Sequence, residues 1–187
     1  MLRVVDAGCR RGGRLLFSEL FLEVEAGECV ELHGPNGSGK STLLRCIAGL
    51  YPDFEGEVEA AEFLYAGHRM GLNPLLSAEQ NLAWYAALRG DADAVGPALE
   101  RVGMAGYERT PCQHLSAGQQ RRVALARLLV CPASLWLLDE PLTALDRPGR
   151  ETAVALLTSH VDGGGAVVAA THQPLGLAKS RVLSLGR

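Results

Sequence analysis

A glycine-rich segment between an apolar run and a helical pattern limits the possible folds of this chain more than any other feature. The segment reads Gly34-Pro35-Asn36-Gly37-Ser38-Gly39-Lys40-Ser41-Thr42. In loops of this spacing, backbone N–H groups turn inward around phosphate oxygens, and the N-terminus of the next helix favours negative charge. A strand over residues 29–32 and a helix from about residue 40 to 48 provide the context that such a loop requires, and they predict an α/β fold.

We predict that the residues of this loop, 34–42, bind a nucleoside triphosphate. Lys40 is suited to reach the β- and γ-phosphates and so to take part in catalysis, and the Ser41 hydroxyl is suited to bind Mg²⁺. A glycine-rich turn without function is the alternative interpretation. Such a turn requires neither the strand before it nor the helix after it, so the context favours the phosphate site.

A pair of acidic residues follows a second apolar run, at residues 135–138. Uninterrupted apolar residues are typical of a strand buried on both faces, and open α/β sheets hold their ligands at the carboxyl ends of such strands. We expect Asp139 to hold Mg²⁺, directly or through a water, and Glu140 to polarise the attacking water. In isolation an Asp-Glu pair is more often part of a turn, but the phosphate loop in the same chain favours catalysis.

Short apolar runs alternate with helical patterns elsewhere, which predicts βα units on a mostly parallel sheet. Further strands are predicted at residues 2–5, 15–17, 20–24, 57–59, 63–65, 166–170 and 181–185. Those at 15–17 and 20–24 are close enough together to form an antiparallel meander. Helices are predicted at residues 77–88, 95–102 and 119–130, and another is predicted after Asp146-Arg147-Pro148, ending at about residue 159. We therefore expect a single domain, residues 1–187, with a nucleotide-binding core at 1–70 and 131–187 and a helical subdomain at 71–130.

The segment Leu-Ser-Ala-Gly-Gln-Gln at residues 115–120 precedes one of the predicted helices. The Ser116 hydroxyl, the Gly118 N–H and the N-terminus of that helix together predict an anion site. Taken alone, the segment is more typical of an ordinary helix cap that follows a turn of small residues, and only the other motifs of the chain favour the anion site.

Together these segments resemble the ATPase subunit of an ATP-binding cassette (ABC) transporter, over nearly the whole chain. Residues 115–122 are similar to the signature segment of that family, residues 144–146 to its D-loop, and Thr171-His172 to its switch histidine. The resemblance implies a P-loop NTPase (RecA-like) fold, with a parallel-sheet core, an antiparallel β meander and an inserted α-helical subdomain.

The resemblance also implies ATP and Mg²⁺ as cofactors and a homodimer with ATP between its subunits. In that arrangement Ser116, Gly118 and Gln119 of one subunit cap the γ-phosphate held by the glycine-rich loop of the other. His172 contacts the γ-phosphate and helps to position Glu140, and Asp146 lies along the dimer seam.

Two residues depart from the family pattern. Arg11 falls where the family often has a tyrosine that stacks on adenine, and a guanidinium plane can also stack on a base. His68 falls where a glutamine usually contacts Mg²⁺ and water. We expect Arg11 to contact the nucleotide base, and either the imidazole of His68 takes over the metal contact or that contact is missing.

One branch of the family resembles this chain most, the ATP-binding subunits of the haem exporters used in cytochrome c maturation. This resemblance is carried by the small size of the chain, by Gly67-His68, by Ser-Ala-Gly-Gln-Gln-Arg-Arg within the signature segment and by Thr171-His172-Gln173-Pro174. It implies ATP-driven work on an integral membrane permease subunit, with this subunit peripheral at the cytoplasmic face of the bacterial inner membrane. Consistent with that expectation, the sequence contains no apolar run of the roughly 20 residues that span a bilayer.

Residues 75–88, with Trp84 and Tyr85, border the region that receives the membrane partner in such ATPases. We hypothesise that some of these apolar groups form the docking groove; packing within the helical subdomain itself is the alternative. The five cysteines are widely spaced without a Cys-x-x-Cys pair, which fits reduced thiols in the cytoplasm.

Composition excludes some other functions. The chain is 48% hydrophobic and 21% charged with a net charge of −3, which is ordinary for a globular protein and lacks the basic excess of nucleic-acid binders. The ATPase of another ABC transporter remains an alternative. A non-transport ABC ATPase usually needs a coiled-coil insertion, a second cassette or a basic surface, which this sequence lacks. A kinase or GTPase would leave residues 115–120 unexplained, and the sequence has no Asn-Lys-x-Asp guanine motif.

Overall fold

Two β-sheets and a set of helices form the protein in a computed structural model that describes residues 1–89 and 91–186. The described strands are β1 (Leu2–Arg11), β2 (Arg14–Val24), β3 (Cys29–His33), β4 (Phe54–Ala60), β5 (Phe63–Ala66), β6 (Leu135–Asp139), β7 (Ala166–Ala170) and β8 (Ser180–Ser184). The described α-helices are α1 (Lys40–Ile47), α2 (Ala78–Arg89), α3 (Val95–Arg101), α4 (Ala117–Val130) and α5 (Arg147–Asp162).

The chain divides into two compact units. The first contains Met1–His68, Ser134–Pro141 and Leu157–Arg187, and the second contains Arg69–Ala133 and Leu142–Leu156. The second unit thus includes a stretch beyond the helical subdomain expected at 71–130. The assignment of the whole chain to one ATPase domain stays a prediction.

A parallel sheet of five strands forms the centre of the first unit, in the order β5-β6-β7-β3-β8. Every residue of β6 and β7 is buried, as their uninterrupted apolar sequences predict. The carboxyl ends of β6, β7 and β3 are adjacent in the sheet and lead to Glu140, Thr171 and Gly34 respectively. Three separated sequence segments therefore meet at the edge where open α/β sheets hold ligands.

The antiparallel sheet has the order β2-β1-β4 and also belongs to the first unit. The prediction of two separate strands at 15–17 and 20–24 is wrong, because both segments lie within the single strand β2. Glu19 between them has φ 51°, and the register of β1 with β2 shifts by a residue around this position. The extra residue is accommodated as a bulge instead of a turn, and β4 completes the sheet on the other side of β1.

One hydrophobic cluster joins side chains of both sheets and α1. Helix α1 contributes Leu43, Leu44 and Ile47, which share one helical face and are buried. Each fully buried aliphatic side chain of this size stabilises the fold by roughly 1.5–3 kcal/mol relative to exposure. This packing fixes α1, and with it the loop that enters its N-terminus.

The second unit is helical. The helices predicted at 77–88, 95–102 and 119–130 correspond to α2, α3 and α4, which pack on one another. Asn81 of α2 is buried and donates hydrogen bonds to the carbonyls of Asn73, Leu76 and Ser77 at 3.0, 3.1 and 3.0 Å. These bonds hold the loop before α2 against the helix. Among the residues described, no helix is both long enough and apolar enough to cross a membrane.

Candidate functional site

The loop between β3 and α1 has a backbone that requires glycine. Gly34, Gly37 and Gly39 have φ values of 147°, 80° and 102°, which side chains disfavour. A Cβ atom on Gly34 would also lie 2.2 Å from the carbonyl oxygen of Leu185. The buried ammonium of Lys40 donates hydrogen bonds to the carbonyls of Gly34 at 2.6 Å and Pro35 at 3.1 Å. The lysine is therefore held against the loop that it follows.

A hydroxyl and a carboxylate meet beside this loop. The Ser41 Oγ donates a hydrogen bond to Oδ1 of Asp139 at 2.8 Å, and Asp139 is buried at the end of β6. Among the described residues, none donates a hydrogen bond to the buried Oδ2 of Asp139. A buried carboxylate oxygen left without a donor is unfavourable, and it is the kind of hard oxygen ligand that Mg²⁺ prefers. Ser41 and Asp139 therefore fit the predicted metal site.

Within the described part of the chain, no group of three or more His, Cys, Asp and Glu side chains could hold a metal ion by itself. Mg²⁺ is usually bound through one or two carboxylates together with phosphate oxygens of the substrate, and Asp139 beside the phosphate loop supplies one such carboxylate. His68, the third residue predicted at the metal site, lines the same cavity as Ser41 and Asp139.

Glu140 and His172 follow neighbouring strands and lie close together. Nε2 of His172 lies 3.1 Å from Oε1 of Glu140. Glu140 has φ 55°, and its backbone N–H donates to the carbonyl of Ala170 at 2.9 Å. This hydrogen bond fixes the turn after β6, so the carboxylate is directed toward the histidine. An oriented carboxylate next to a histidine can orient a water and accept its proton.

A cavity of about 570 Å³ brings these groups together in the first unit. Most of the site residues predicted from the sequence line this cavity: Arg11, Asn36, Gly37, Gly39, Lys40, Ser41, Thr42, His68, Asp139, Glu140 and His172. Gly34, Pro35 and Ser38, which are also predicted to bind nucleotide, are not on its wall. Gly34 and Pro35 contact Lys40 through their carbonyls, and Ser38 is buried.

Two further lining residues, Arg14 and Leu16, are missed by the sequence analysis. Arg14 is directly opposite Arg11 across the β1–β2 hairpin, whose turn is formed by Gly12 and Gly13 with φ 56° and 80°. Consecutive glycines of positive φ are typical of a two-residue hairpin turn, which pairs the residues on either side. The Gly-Gly dipeptide was therefore the available signal for Arg14.

The second unit has a separate cavity of about 530 Å³ around the N-terminus of α4. Ser116 is the N-cap: its Oγ accepts a hydrogen bond from the Gln119 N–H at 3.2 Å, and the Gln119 Oε1 accepts one from the Ser116 N–H at 2.9 Å. This is a capping box. The Ser116 hydroxyl keeps its own proton for donation to a ligand. Gly118, also predicted to bind nucleotide, lines the same cavity.

An arginine that the sequence analysis does not assign to the site completes this second cavity. The Arg122 Nη2 lies 2.6 Å from Oδ1 of Asp146, which also accepts a hydrogen bond from the Gly149 N–H at 3.1 Å. The hydrogen bond from Arg122, followed by that from Gly149, lowers the pKa of Asp146 below its ordinary value. The charge of the guanidinium is thus compensated by a carboxylate on the same wall, and the favourable potential for an anion in this cavity comes from the first turn of α4.

Comparisons with known proteins agree with this geometry. Residues 17–143 match the ABC transporter family. The chain is 46% identical over 204 aligned positions to the cytochrome c biogenesis ATP-binding export protein CcmA of Pseudomonas putida, covering 100% of this chain and 97% of that protein. It is 43% identical to the protein of the same name from Yersinia pestis, covering 97% of this chain and 90% of that protein.

The solved structure of the ATP-binding cassette MJ0796, a dimer in a post-hydrolysis state bound to ADP and Pi, is similar throughout. The TM-score is 0.88 at 26% identity, covering 99% of this chain and 94% of that one. The predicted fold class, a P-loop NTPase with a parallel core, an antiparallel sheet and helices, is confirmed. The chain therefore belongs to the ABC transporter family and, within it, to the CcmA-type proteins.

Proposed function

We propose that this chain is the ATP-hydrolysing subunit of the haem exporter that serves c-type cytochrome biogenesis. The ATPase activity is supported above all by one observation. A single cavity is lined by residues of the phosphate loop, by the Ser41–Asp139 pair and by the Glu140–His172 pair. The export role is supported by relatives named as ATP-binding export proteins of cytochrome c biogenesis, which align with almost the whole chain.

The phosphate loop binds the triphosphate of ATP. Lys40 uses two donors on loop carbonyls, and an ammonium has a third, which points to the β- and γ-phosphates in this proposal. The backbone N–H groups of residues 36, 37 and 39–41 and the N-terminus of α1 supply the remaining donors. Arg11 and Arg14, which line the same cavity from the β1–β2 hairpin, contact the nucleotide base through their guanidinium planes.

Ser41 and Asp139 would hold Mg²⁺, with His68 as a further contact, and the chemistry supplied there would be neutralisation of charge on the phosphate oxygens. The chain's own contribution is the unpaired Oδ2 of Asp139, which no described residue satisfies. Its neighbour Oδ1 is fixed by Ser41, so the carboxylate is oriented before the nucleotide arrives.

Glu140 orients the attacking water and draws its proton away. As the new bond between the water oxygen and the γ-phosphorus forms, the bond from the γ-phosphorus to the bridging oxygen breaks, and ADP leaves with the electron pair. The water proton passes by way of Glu140 to the released phosphate. His172, 3.1 Å from Glu140, restricts the carboxylate and donates to the γ-phosphate.

Two copies of the chain form the complete site. Ser116, Gly118 and Gln119 of one protomer cap the γ-phosphate that is held by the loop of its partner, and Asp146 lies along the seam. The cavity at the N-terminus of α4, lined by Ser116, Gly118 and Gln119, supports an anion at this position, because a helix N-terminus favours negative charge. The similar cassette that was solved with ADP and Pi is itself dimeric.

An integral membrane permease subunit contacts the second unit, so that the chain works at the cytoplasmic face of the bacterial inner membrane. Trp84 of α2 supports this proposal because it is 57% exposed, and Leu75 and Leu88 are exposed as well. Tyr85 has a different role. Its hydroxyl donates to the carbonyl of Gly71 at 2.6 Å, and the Arg127 guanidinium lies 4.7 Å from the centre of its ring.

Deleting the gene and measuring covalent haem in periplasmic c-type cytochromes tests the proposed function. We expect the haem signal to disappear, to return with the wild-type gene and to stay absent with Lys40→Ala. Lys179→Ala is the matched control, because Lys179 contacts only the exposed Asp162 among the ion pairs described, and it should restore the cytochromes. Normal cytochromes in the deletion strain would contradict haem export and leave the ATPase family assignment intact.

A further inference from the structure

Glu31 is a buried carboxylate in the interior of the parallel sheet. It is 2% exposed and lies in β3, which has β7 on one side and β8 on the other. Its neighbours in β3, Val30 and Leu32, are apolar and belong to the hydrophobic core. A carboxylate in such a position is strongly disfavoured unless it is paired and hydrogen-bonded, so its partners reveal why it is there.

Two groups meet the same oxygen of Glu31. Nε2 of His33 lies 3.0 Å from Oε2 of Glu31, and the backbone N–H of Leu175 donates to that oxygen at 3.2 Å. Side chains alternate along a strand, so Glu31 and His33 share the face opposite to Val30 and Leu32. The imidazole is a local partner, and the N–H of Leu175 comes from the segment that follows β7.

That segment, residues 171–175, carries His172 and is attached to β3 at both ends. At its start the Thr171 N–H donates to the carbonyl of Leu32 at 3.2 Å. At its end the Leu175 N–H donates to Glu31. Between these points the Thr171 hydroxyl donates to the carbonyl of Gln173 at 2.7 Å and accepts from the N–H of Gln173 at 3.2 Å, which forms a tight turn around His172.

The same strand leads directly into the phosphate loop. His33 is the last residue of β3, and the next residue, Gly34, accepts the hydrogen bond from Lys40 at 2.6 Å. One side chain, Glu31, therefore joins the strand that enters the phosphate loop to the segment that carries the histidine beside Glu140.

We propose that Glu31 is a positioning residue for ATP hydrolysis. Its carboxylate holds the 171–175 segment at the end of β3, so that His172 stays next to Glu140 and at a fixed distance from the phosphate loop. His33 provides the polar partner that allows the carboxylate to be buried. This role rests on the proposed function of Glu140 and His172, and it adds an element that lies behind the cavity instead of on its wall.

Two substitutions in the full chain test the role. Glu31→Leu removes the acceptor for the Leu175 N–H, and we expect kcat for ATP to fall about 10- to 100-fold, because small displacements of catalytic groups have effects of this size. The KM and the dissociation constant for nucleotide should change by less than about threefold, because the phosphate loop is intact. Glu31→Gln keeps an oxygen acceptor, and we expect it to recover most of kcat.

The same substitution in the His172→Ala variant distinguishes a positioning role of Glu31 from a general effect on the structure. If Glu31 acts through His172, adding Glu31→Leu to His172→Ala should lower kcat no further than His172→Ala alone, because neighbouring residues that act as a unit are not additive. Multiplicative losses in the double variant would overturn the proposal. Cys29→Ala, a buried position on the same strand, is the control and should leave kcat within about twofold of wild type.

Glu31→Leu leaves His33 without its partner and can unfold the chain for that reason alone. The double variant Glu31→Leu/His33→Leu replaces both polar partners, so neither is left unpaired. It takes the place of Glu31→Leu if that single variant does not fold. Hydrogen exchange in these variants should show faster exchange at residues 171–175 with unchanged exchange at residues 135–139. Unchanged exchange at 171–175 would overturn the anchoring, even in a preparation without ATPase activity. Absence of ATP hydrolysis by the wild-type chain would instead count against the proposed function.

Discussion

The Ser41 hydroxyl donates a hydrogen bond to Oδ1 of Asp139 at 2.8 Å, across 98 positions of sequence. This bond joins the first turn of α1 to the end of β6, and it leaves Oδ2 of the same carboxylate without a donor among the residues described. A cation bound there would satisfy the buried oxygen, so the pair links the phosphate loop to the proposed Mg²⁺ site.

Asp139→Asn should raise the Mg²⁺ concentration needed for half-maximal activity and lower kcat by about 100-fold or more, since it removes a charge at the transferring phosphate. ATPase rates over a Mg²⁺ titration measure both quantities. Asp162→Asn, at an exposed carboxylate, is the control and should match wild type. An Asp139→Asn enzyme with an unchanged Mg²⁺ requirement would exclude Asp139 from the metal site.

Glu140→Gln should slow hydrolysis by roughly 10²- to 10⁴-fold, the usual contribution of a general base. Nucleotide binding should persist, because Lys40 and the loop are unaltered. In the proposed homodimer the trapped ATP would then hold two protomers together, which light scattering or gel filtration detects as an ATP-dependent dimer. Glu151→Gln, an exposed glutamate on α5, is the matched control. Wild-type turnover in Glu140→Gln would remove Glu140 from the proposed role.

Local sequence patterns predicted the phosphate loop, the buried strands β6 and β7 and the helices α2 to α4, because each depends on spacing within a short segment. Long-range partners were not predictable in this way. Glu31 lies in what reads as an ordinary apolar strand, and Leu175, which donates to it, is 144 positions away. Arg14 lines its cavity through the pairing of β1 with β2, for which the adjacent Gly12-Gly13 pair is the one local signal. Arg122 lines its cavity through the packing around α4, which spacing within a short segment does not predict.

A stacked pair of rings makes the stability of the first unit dependent on pH. His160 of α5 and Trp136 of β6 have ring centres 3.7 Å apart and nearly parallel planes. Burial lowers the pKa of His160 below its ordinary value of 6.5, while hydrogen bonds with the backbone of Ser134 and Ala166 act in the opposite direction. The unfolded chain therefore binds a proton at a higher pH than the folded chain does.

The contribution of His160 is fully present above about pH 6.5, and it is lost as the pH falls below that value toward the pKa of the folded state. For one proton, the slope is at most about 1.4 kcal/mol per pH unit. His160→Phe keeps a ring and removes the titration, so urea unfolding between pH 7.5 and 5.5 should show a smaller pH dependence than wild type. Ser159→Ala, at an exposed residue of α5 without an ionisable side chain, is the control and should leave the slope unchanged. A wild-type slope in His160→Phe would contradict the assignment.

Trp84→Ala should weaken membrane association while nucleotide binding remains unchanged, because the indole is exposed on α2. The measurement is the fraction of the chain that sediments with membrane vesicles that contain the proposed permease subunit, with the dissociation constant for ATP determined in parallel. Phe21→Ala removes an equally exposed aromatic group from the first unit and should have no effect on sedimentation. A joint loss of membrane and nucleotide binding would mean that Trp84 supports the fold of the second unit instead.

Sharing of the site between protomers can be tested with two inactive variants. Lys40→Ala damages the phosphate loop, and Ser116→Arg blocks the cap at α4, so each homodimer has two defective sites. In a heterodimer of the two variants, one site combines the intact Lys40 of one protomer with the intact Ser116 of its partner, and the other site has both defects.

Random reassociation of equal amounts gives half heterodimers, each with one functional site of two, so about a quarter of wild-type activity should return. ATPase assays before and after mixing measure this gain. Mixing Lys40→Ala with Lys40→Ala/Ser116→Arg is the control, because that combination contains no intact loop and should remain inactive. If the complementary mixture is also inactive although gel filtration shows heterodimers, ATP is not capped by the Ser116 segment of the second protomer, and each chain hydrolyses ATP with its own residues.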